Sequence, residues 1–406
     1  MVHLKRAIAT YILVTALLPN IATYAATYYV ATNGNNNNSG TSSKPWRTVA
    51  YATSKMLAGD TTYVKGGTYK EGAIRFGRSG TSSAPIKLLN APGEFPVIDC
   101  IDKTQPQFVH LQAYAGTAKM IGWITIEGFE IRNCYHAIKW YNLHDSIIRR
   151  NWLHHNRHSG ILGVGGTRVV IDRNRINSNA LDFTRPPGGH GIYANGTAYT
   201  VTNNLIYNNR GYGIQLNGTV SYNSSIHPAP EYAASNNWSI ANNTLAYNNF
   251  SAGLVIWGKN STKTQVNNNI FYENGTLAPS YHAQGINFSS CCSTGIQIRN
   301  NLAFASGSGA KQFIAGGTEG THYTQSGNTV NTLHPKFVNA PATLPSSPNF
   351  TLASGSPAID KGIALSSTKI SYPGITRPKL SAYDVGAYEY AGSSTLAAPT
   401  SLQVAN

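Results

Sequence analysis

Charge is scarce in this 406-residue chain: Asp, Glu, Lys and Arg together make up 12% of it, and only 16 residues are acidic. So few carboxylates leave little choice for the paired acids that glycoside hydrolysis needs. Cysteine is rarer still, with four residues and no Cys-x-x-Cys spacing, which argues against a thiolate zinc site. Helical periodicity is missing apart from one short stretch, so a helical bundle is excluded. The apolar run Ala7 to Leu18 is shorter than the ~20 residues of a membrane span, so no membrane insertion is expected. Zinc-finger, helix-turn-helix and ribonucleoprotein patterns are also missing, which removes the usual grounds for a nucleic-acid partner.

What the chain has is a repeat. Asn151 and Asn156 are echoed by Asn174 and Asn179, Asn204 and Asn209, Asn243 and Asn248, and Asn269 and Asn274, with Asn301 opening one more. Each complete pair is followed by a Gly and an aliphatic residue: Gly160-Ile161, Gly191-Ile192, Gly213-Ile214, Gly253-Leu254 and Gly285-Ile286. A fixed order of features with variable spacers is how a solenoid keeps its core in register while loops grow on one side. The side-chain amide of a repeating Asn bonds backbone at a tight bend and its counterpart one coil away, so these residues read as scaffold.

Short alternating strands fill the chain from Thr61 onward, for example Thr62-Tyr63-Val64, Ile74-Arg75-Phe76 and Ile124-Thr125-Ile126. Coils of three such strands stack in parallel, so the fold class is all-β, a right-handed parallel β-helix. Val49, Ala52, Met56 and Leu57 lie at helical spacing and predict a short N-terminal helix that caps the open end of the core. The expected division is a signal peptide over 1–25, a cap with the first strands over 26–75, the β-helix over 76–340 and a C-terminal capping segment over 341–392. Residues 393–406 read as a linker or the start of a truncated module.

Lys5 and Arg6 before the apolar run, with small residues at Ala22, Ala25 and Ala26, predict export and an extracellular location. Without Lys5 and Arg6, 29 basic side chains face 16 acidic ones, a formal charge of +13. That excess predicts a polyanionic partner, here an acidic polysaccharide. An oxidising compartment suits a disulfide between Cys100 and Cys134, each at the end of a strand-like segment, whereas the adjacent Cys291 and Cys292 would form a strained ring or stay reduced.

Tyr28 to Glu71, with Gly59-Asp60-Thr61 and Lys65-Gly66-Gly67-Thr68-Tyr69, resembles the opening segment of secreted bacterial β-helix proteins, a group that includes polysaccharide lyases and alginate epimerases. The coils around Gly189-His190-Gly191-Ile192 and Ala252-Gly253-Leu254 are similar to repeats in those proteins. So are Gly355-Ser356-Pro357-Ala358-Ile359-Asp360 and Tyr383-Asp384-Val385-Gly386-Ala387-Tyr388-Glu389. The Asp-Pro-His-Glu run typical of mannuronan epimerases and the calcium-binding Asp clusters of several pectate lyases are missing, so the resemblance carries the scaffold more than the reaction.

With Ile of each Gly-Ile pair pointing inward, alternation turns Lys139 and Tyr141, Leu162 and Val164, Tyr193 and Asn195, Gln215 and Asn217, Val255 and Trp257, and Asn287 and Ser289 outward on one stacked sheet. His158, His190 and Tyr212 fall at its rim. Residues 132–210 hold ten arginine or lysine residues and six of the 12 histidines, a crowding that calls for a counter-anion. Cleavage of a uronate chain by β-elimination needs a cation on the carboxylate, a base and an acid. The assigned roles are His190 as base, Tyr193 as acid or second base, and Arg185 with Lys139 as carboxylate clamp. Tyr141, His158, Arg157, Arg210, Tyr212, Asn195, Gln215 and Trp257 are assigned to substrate binding. No cofactor is required, with calcium assistance left open, and a monomer is expected. His154, His155 and His158 form a compact cluster, but strand neighbours face opposite sides, so a three-ligand metal site would need a bend between 154 and 155.

The expected function is a secreted lyase acting on a uronic-acid-containing polysaccharide. Three alternatives stay open: a C5-epimerase on the same scaffold, a hydrolase of an acidic glycan and a non-catalytic glycan binder. Among Asp145, Asp172, Asp182, Glu231 and Glu273, a site shared by Asp182 and Glu231 would favour the hydrolase.

Overall fold

The structure, a computed structural model, describes residues 25–100, 109–111, 119–182, 188–218, 221–250, 252–275, 283–289, 293–305 and 312–392. Residues 1–24 of the expected signal peptide, Arg185, the Cys291-Cys292 pair and the tail 393–406 lie outside the described residues.

Three parallel sheets of eleven, ten and ten strands run from Thr27 to Val330, and successive strands pass from sheet to sheet in a fixed cycle. This is the right-handed parallel β-helix that the repeat predicts. One coil shows the cycle: Ile147–Arg149 lies in the first sheet, Trp152–His154 in the second and Ile161–Thr167 in the third. Register then stacks like on like. Ile126, Ile148, Ile171, Val201, Ile240, Val266 and Ile298 form one column of the first sheet. Ile138, Ile161, Ile192, Ile214, Leu254 and Ile286 form its counterpart in the third. Strand alternation turns these side chains inward, and they are fully buried.

The asparagines stand at the bends, as two buried ladders. Asn174 Nδ2 donates to Asn204 Oδ1 (3.0 Å) and to the Ile148 carbonyl (2.9 Å), while Asn174 Oδ1 accepts the Asn151 backbone N–H (3.1 Å). The first ladder continues through Asn243, Asn269 and Asn301 to Asn328. The second links Asn156, Asn179, Asn209, Asn248 and Asn274. Each rung follows a residue in the left-handed region, such as Arg173 (φ 53°) or His155 (φ 51°), and only Asn328 follows a glycine there, Gly327 (φ 66°). The amides satisfy backbone groups that the corner would otherwise bury unpaired.

Helix Val49–Lys55 covers the N-terminal end of the core, as its periodicity predicts. Thr48 caps it by accepting the Tyr51 N–H, and the buried Glu71 carboxylate accepts the N–H groups of Val49 (2.7 Å) and Ala50 (2.8 Å). Cys100 and Cys134 form the expected disulfide, with Cα atoms 4.9 Å apart. The C-terminal segment differs from expectation in where it lies. Phe337, Phe350, Leu352, Ala358 and Val385 pack along the side of the second sheet against Leu205, Tyr207, Tyr247 and Tyr272, so it clasps that sheet's outer face. Arg377, buried with Glu389 (2.6 Å) and bonded to the carbonyls of Asp384 and Gly386, ties the clasp together.

Candidate active site

The third sheet carries the outward row that alternation predicts. Register aligns Arg75, His110, Lys139, Leu162, Tyr193, Gln215, Val255 and Asn287 along it. Arg75 is exposed, and Lys139, Leu162 and Tyr193 are half-buried. No Asp or Glu lies on a strand of this sheet among the described residues. Lys139 Nζ sits 4.8 Å from the ring centre of Tyr141 on its own strand. Tyr193 Oη accepts a hydrogen bond from Asn217 Nδ2 (3.1 Å), and burial raises its pKa. Lys139 and Tyr193 are two strands apart, about 10 Å at the backbone.

The row is walled on one side by a strap over residues 221–236, which contains the one-turn helix Pro230–Ala233. Asn142 Nδ2 donates to the Ile226 carbonyl (2.6 Å), and its Oδ1 pairs with His227 Nδ1 (3.1 Å). Asn195 Nδ2 donates to the carbonyls of Tyr232 (3.0 Å) and Ala233 (3.2 Å). Asn195, expected to face substrate, is therefore buried under the strap and anchors it. Gln215 is also buried, between Tyr193 and Val255 in register, and Val255 is covered within an apolar cluster with Tyr212, Phe250 and Trp257. Trp257 keeps a half-buried place at the edge of that cluster, so the polar half of the sheet from Arg75 to Asn217 borders an apolar cluster centred on Val255.

The opposite rim is a column of rings. His158 stacks on Tyr135 (5.7 Å between centres, 15° between planes), and His190 stacks on Tyr212 (4.8 Å, 1°) and meets Tyr193 edge-on (5.2 Å). His136, Ser159, His190 and Tyr212 occupy equivalent places in successive coils. The Ser159 N–H donates to His136 Nδ1 (3.3 Å), the His190 N–H to Ser159 Oγ (3.2 Å) and the Tyr212 N–H to His190 Nδ1 (3.0 Å). Gly211 permits this approach, because a Cβ there would overlap His190 Nδ1.

These contacts correct the role expected of His190. Its ring is buried, and burial followed by the neighbouring His158 charge pulls its pKa down to about 3. With Nδ1 accepting a backbone N–H, the neutral ring carries its proton on Nε2. It is a spacer in the rim rather than a proton acceptor. Tyr212, likewise buried, is its stacking partner rather than a substrate contact. His158 is only half-buried, touches Ser159 Oγ through Nδ1 (3.1 Å), and burial lowers its pKa, which keeps it neutral at pH 7.

The cationic trough is corrected too. Arg149 and Arg150 pair with Glu127, Arg168 grips Asp145 with two bonds (2.6 and 2.8 Å), Arg173 pairs with Asp172, and Arg132 pairs with Asp99 and Glu130. Arg175 lies between Trp152 and Tyr207 on the second sheet. These side chains point away from the third sheet because their strands or bends belong to other faces. Lys139 and the half-buried rim residues Arg157 and Arg210 remain beside the groove, joined by Arg75, which register counting from Ile74 would have found. Asp182 and Glu231 flank opposite edges: Asp182 lines a cleft near His154, and Glu231 sits in the strap, so the pair shares no site. His154 and His155 do meet, because left-handed His155 makes the bend, but His158 turns the other way onto Tyr135.

Comparison with known proteins agrees with this architecture. Residues 28–181 match the family model described as the Pel9A-like, right handed beta helix region, and residues 117–275 match the right handed beta helix region. Over 85 residues the chain is 39% identical to pectate lyase PEL9 of Emericella nidulans, a stretch covering 21% of this chain and 20% of that protein. The crystal structure of pectate lyase Pel9A aligns with a TM-score of 0.52 and 19% identity over 90% of this chain and 96% of that one. The structure of XylC in complex with xylose aligns with a TM-score of 0.54 and 13% identity over 76% and 70%. The alignments span 15% and 20% of the length of the curated relatives matched. The chain is thus a right-handed β-helix protein resembling polysaccharide lyases. Among the described residues no helix is long and apolar enough to cross a membrane.

Proposed function

We propose that the protein is a secreted lyase that cleaves a uronic-acid-containing polysaccharide by β-elimination across the third sheet. The observation that carries this reading is the chemistry of the sheet's polar half: cations at Arg75 and Lys139, a proton-bearing Tyr193, a neutral imidazole at His158, and no carboxylate on the strands among the described residues. Lys139, aided by Arg157 and Arg210 at the rim, neutralises the uronate carboxylate and so acidifies the C5 proton. His158 removes that proton, and the electron pair becomes the C4–C5 double bond. Tyr193, its oxygen held by Asn217, protonates the departing C4 oxygen. His190 meets Tyr193 edge-on and lies near enough to His158 to feel its charge. The scheme needs no metal; unchanged rates in EDTA are the expected result, and a rate restored only by calcium would add a metal to it.

The test is incubation of the purified protein with alginate, pectate, glucuronan and glycosaminoglycans while the ultraviolet absorbance of an unsaturated uronate is followed. A rise with one of them, lost in Lys139→Ala, supports the reading. New reducing ends without absorbance would replace it with hydrolysis, and binding alone would replace it with a glycan-binding role. C5-epimerisation shares the first two groups, and a changed uronate configuration without chain cleavage identifies it.

A further inference from the structure

The face of the third sheet does not stop at its first strand. Helix Val49–Lys55 packs against strand Ile74–Phe76, and both ends of the helix are pinned by residues that flank that strand in the chain. Before the strand, Glu71 accepts the N–H groups of Val49 and Ala50; after it, Arg78 Nη1 donates to the Ser54 carbonyl (3.0 Å). The helix therefore lies alongside the strand, in the place that a third-sheet strand would hold one coil earlier. The face that carries Lys139 and Tyr193 continues over the cap.

Charge is sorted at this end of the molecule. Residues 25–100 hold eight Lys or Arg and four Asp or Glu, and all four acids are spent. Asp60 and Glu71 are buried on backbone N–H groups, Glu94 accepts the Gly66 N–H (2.7 Å), and Asp99 holds Arg132 (3.2 Å). Lys55, Arg75 and Arg78 are exposed, and among the described residues none of the three is paired with a carboxylate. Residues 101–118 add one acid and one Lys, Asp102 and Lys103, which leaves the excess unchanged. Arg78 spends one N–H on Ser54 and keeps the rest of its guanidinium donors for a ligand. Arg75 stands two strands from Lys139, about 10 Å at the backbone, and the helix lies beyond it. Three cations gathered without a counter-charge repel one another until an anion arrives, and guanidinium groups suit carboxylates.

We propose that Lys55, Arg75 and Arg78 form an anionic subsite at the cap, which holds uronate units of the polymer beyond those at the reacting coils. The proposal rests on the third sheet being the polymer's track, as the lyase reading has it, and does not require the cleavage chemistry. Binding is measured by calorimetry on the full chain carrying His158→Ala, so that cleavage does not consume the probes, which are oligomers of galacturonate, of alginate and of glucuronate. At least one of them is expected to bind, and joint Lys55→Gln, Arg75→Gln and Arg78→Gln substitution is expected to weaken it about tenfold. Joint Lys44→Gln, Lys70→Gln and Lys87→Gln substitution removes the same charge from exposed positions outside the third sheet and is expected to leave the affinity unchanged. All six side chains are exposed, so thermal midpoints stay at the starting value in both variants. Binding of none of the uronates, undiminished binding in the first variant, or an equal loss in the second would overturn the proposal. Failure of the lyase reading shows separately, as an absence of unsaturated product from the protein with His158 intact, and leaves this comparison standing.

Discussion

Acid should unfold this protein through its rim. His190 has a folded-state pKa near 3 against an ordinary 6.5, because its buried ring has no room for a charge and its Nδ1 already accepts the Tyr212 N–H. The shift is a depression, so the stability linked to it is fully present above pH 6.5. It is lost as pH falls from 6.5 toward 3, where the unfolded chain takes up a proton that the folded one refuses. At pH 5 the gap is about 1.5 units below the unfolded value, which at ~1.4 kcal/mol per unit costs about 2 kcal/mol from this one ring. His136, also buried and pulled well below its ordinary range, titrates in the same sense. Urea denaturation at pH 7.5 and pH 5.0 measures the loss. His190→Asn keeps an acceptor near the Tyr212 N–H but cannot be protonated, so its stability should differ between the two pH values by about 2 kcal/mol less than the wild type's. An identical pH dependence in the two proteins would refute both the burial argument and the spacer role assigned to His190.

Three further outcomes are expected. Lys139→Ala and His158→Ala should each lower kcat on the cleaved polymer by about 10²-fold or more, as removal of a charge-stabilising or proton-transfer group does, while thermal midpoints stay within a few degrees of wild type. Asn174→Ala should cost about 1–3 kcal/mol in chemical denaturation, because it leaves the Asn151 N–H buried without its acceptor. Breaking the Cys100–Cys134 link, which closes a loop of sequence separation 34, should cost about 4 kcal/mol by loop-closure entropy, measured by comparing oxidised and reduced protein in urea.

The backbone plan was legible because it repeats. Paired Asn and Gly-aliphatic marks at matching offsets set the coil length, the inward column and the outward row, and each of these follows from strand alternation alone. The N-terminal helix and the disulfide followed from local periodicity and from the ends of two strand-like segments. The row's polar half, with Lys139, Tyr141 and Tyr193, was read from the same alternation. Arg75 could have been read the same way by counting back through the register from Ile138.

Burial and pairing could not be read. Asn195 and Gln215 stand at outward positions, yet Asn195 is spent on the strap's carbonyls and Gln215 is covered, because a distant segment folds over their sheet or neighbours close in. The arginines crowd one stretch of sequence, but consecutive strands belong to different sheets, so closeness in number spreads them around the circumference toward acids one coil away or, for Arg173, the adjacent Asp172. His190 looked like a base from its neighbours in the chain; only a backbone N–H from the next coil decides which ring nitrogen holds the proton. Sequence by itself determined the coil, its inner column and its corners, since those rest on short-range geometry repeated many times. Tertiary structure alone decided which polar groups meet solvent and which meet each other, since that depends on contacts between residues 22 to 39 positions apart along the chain.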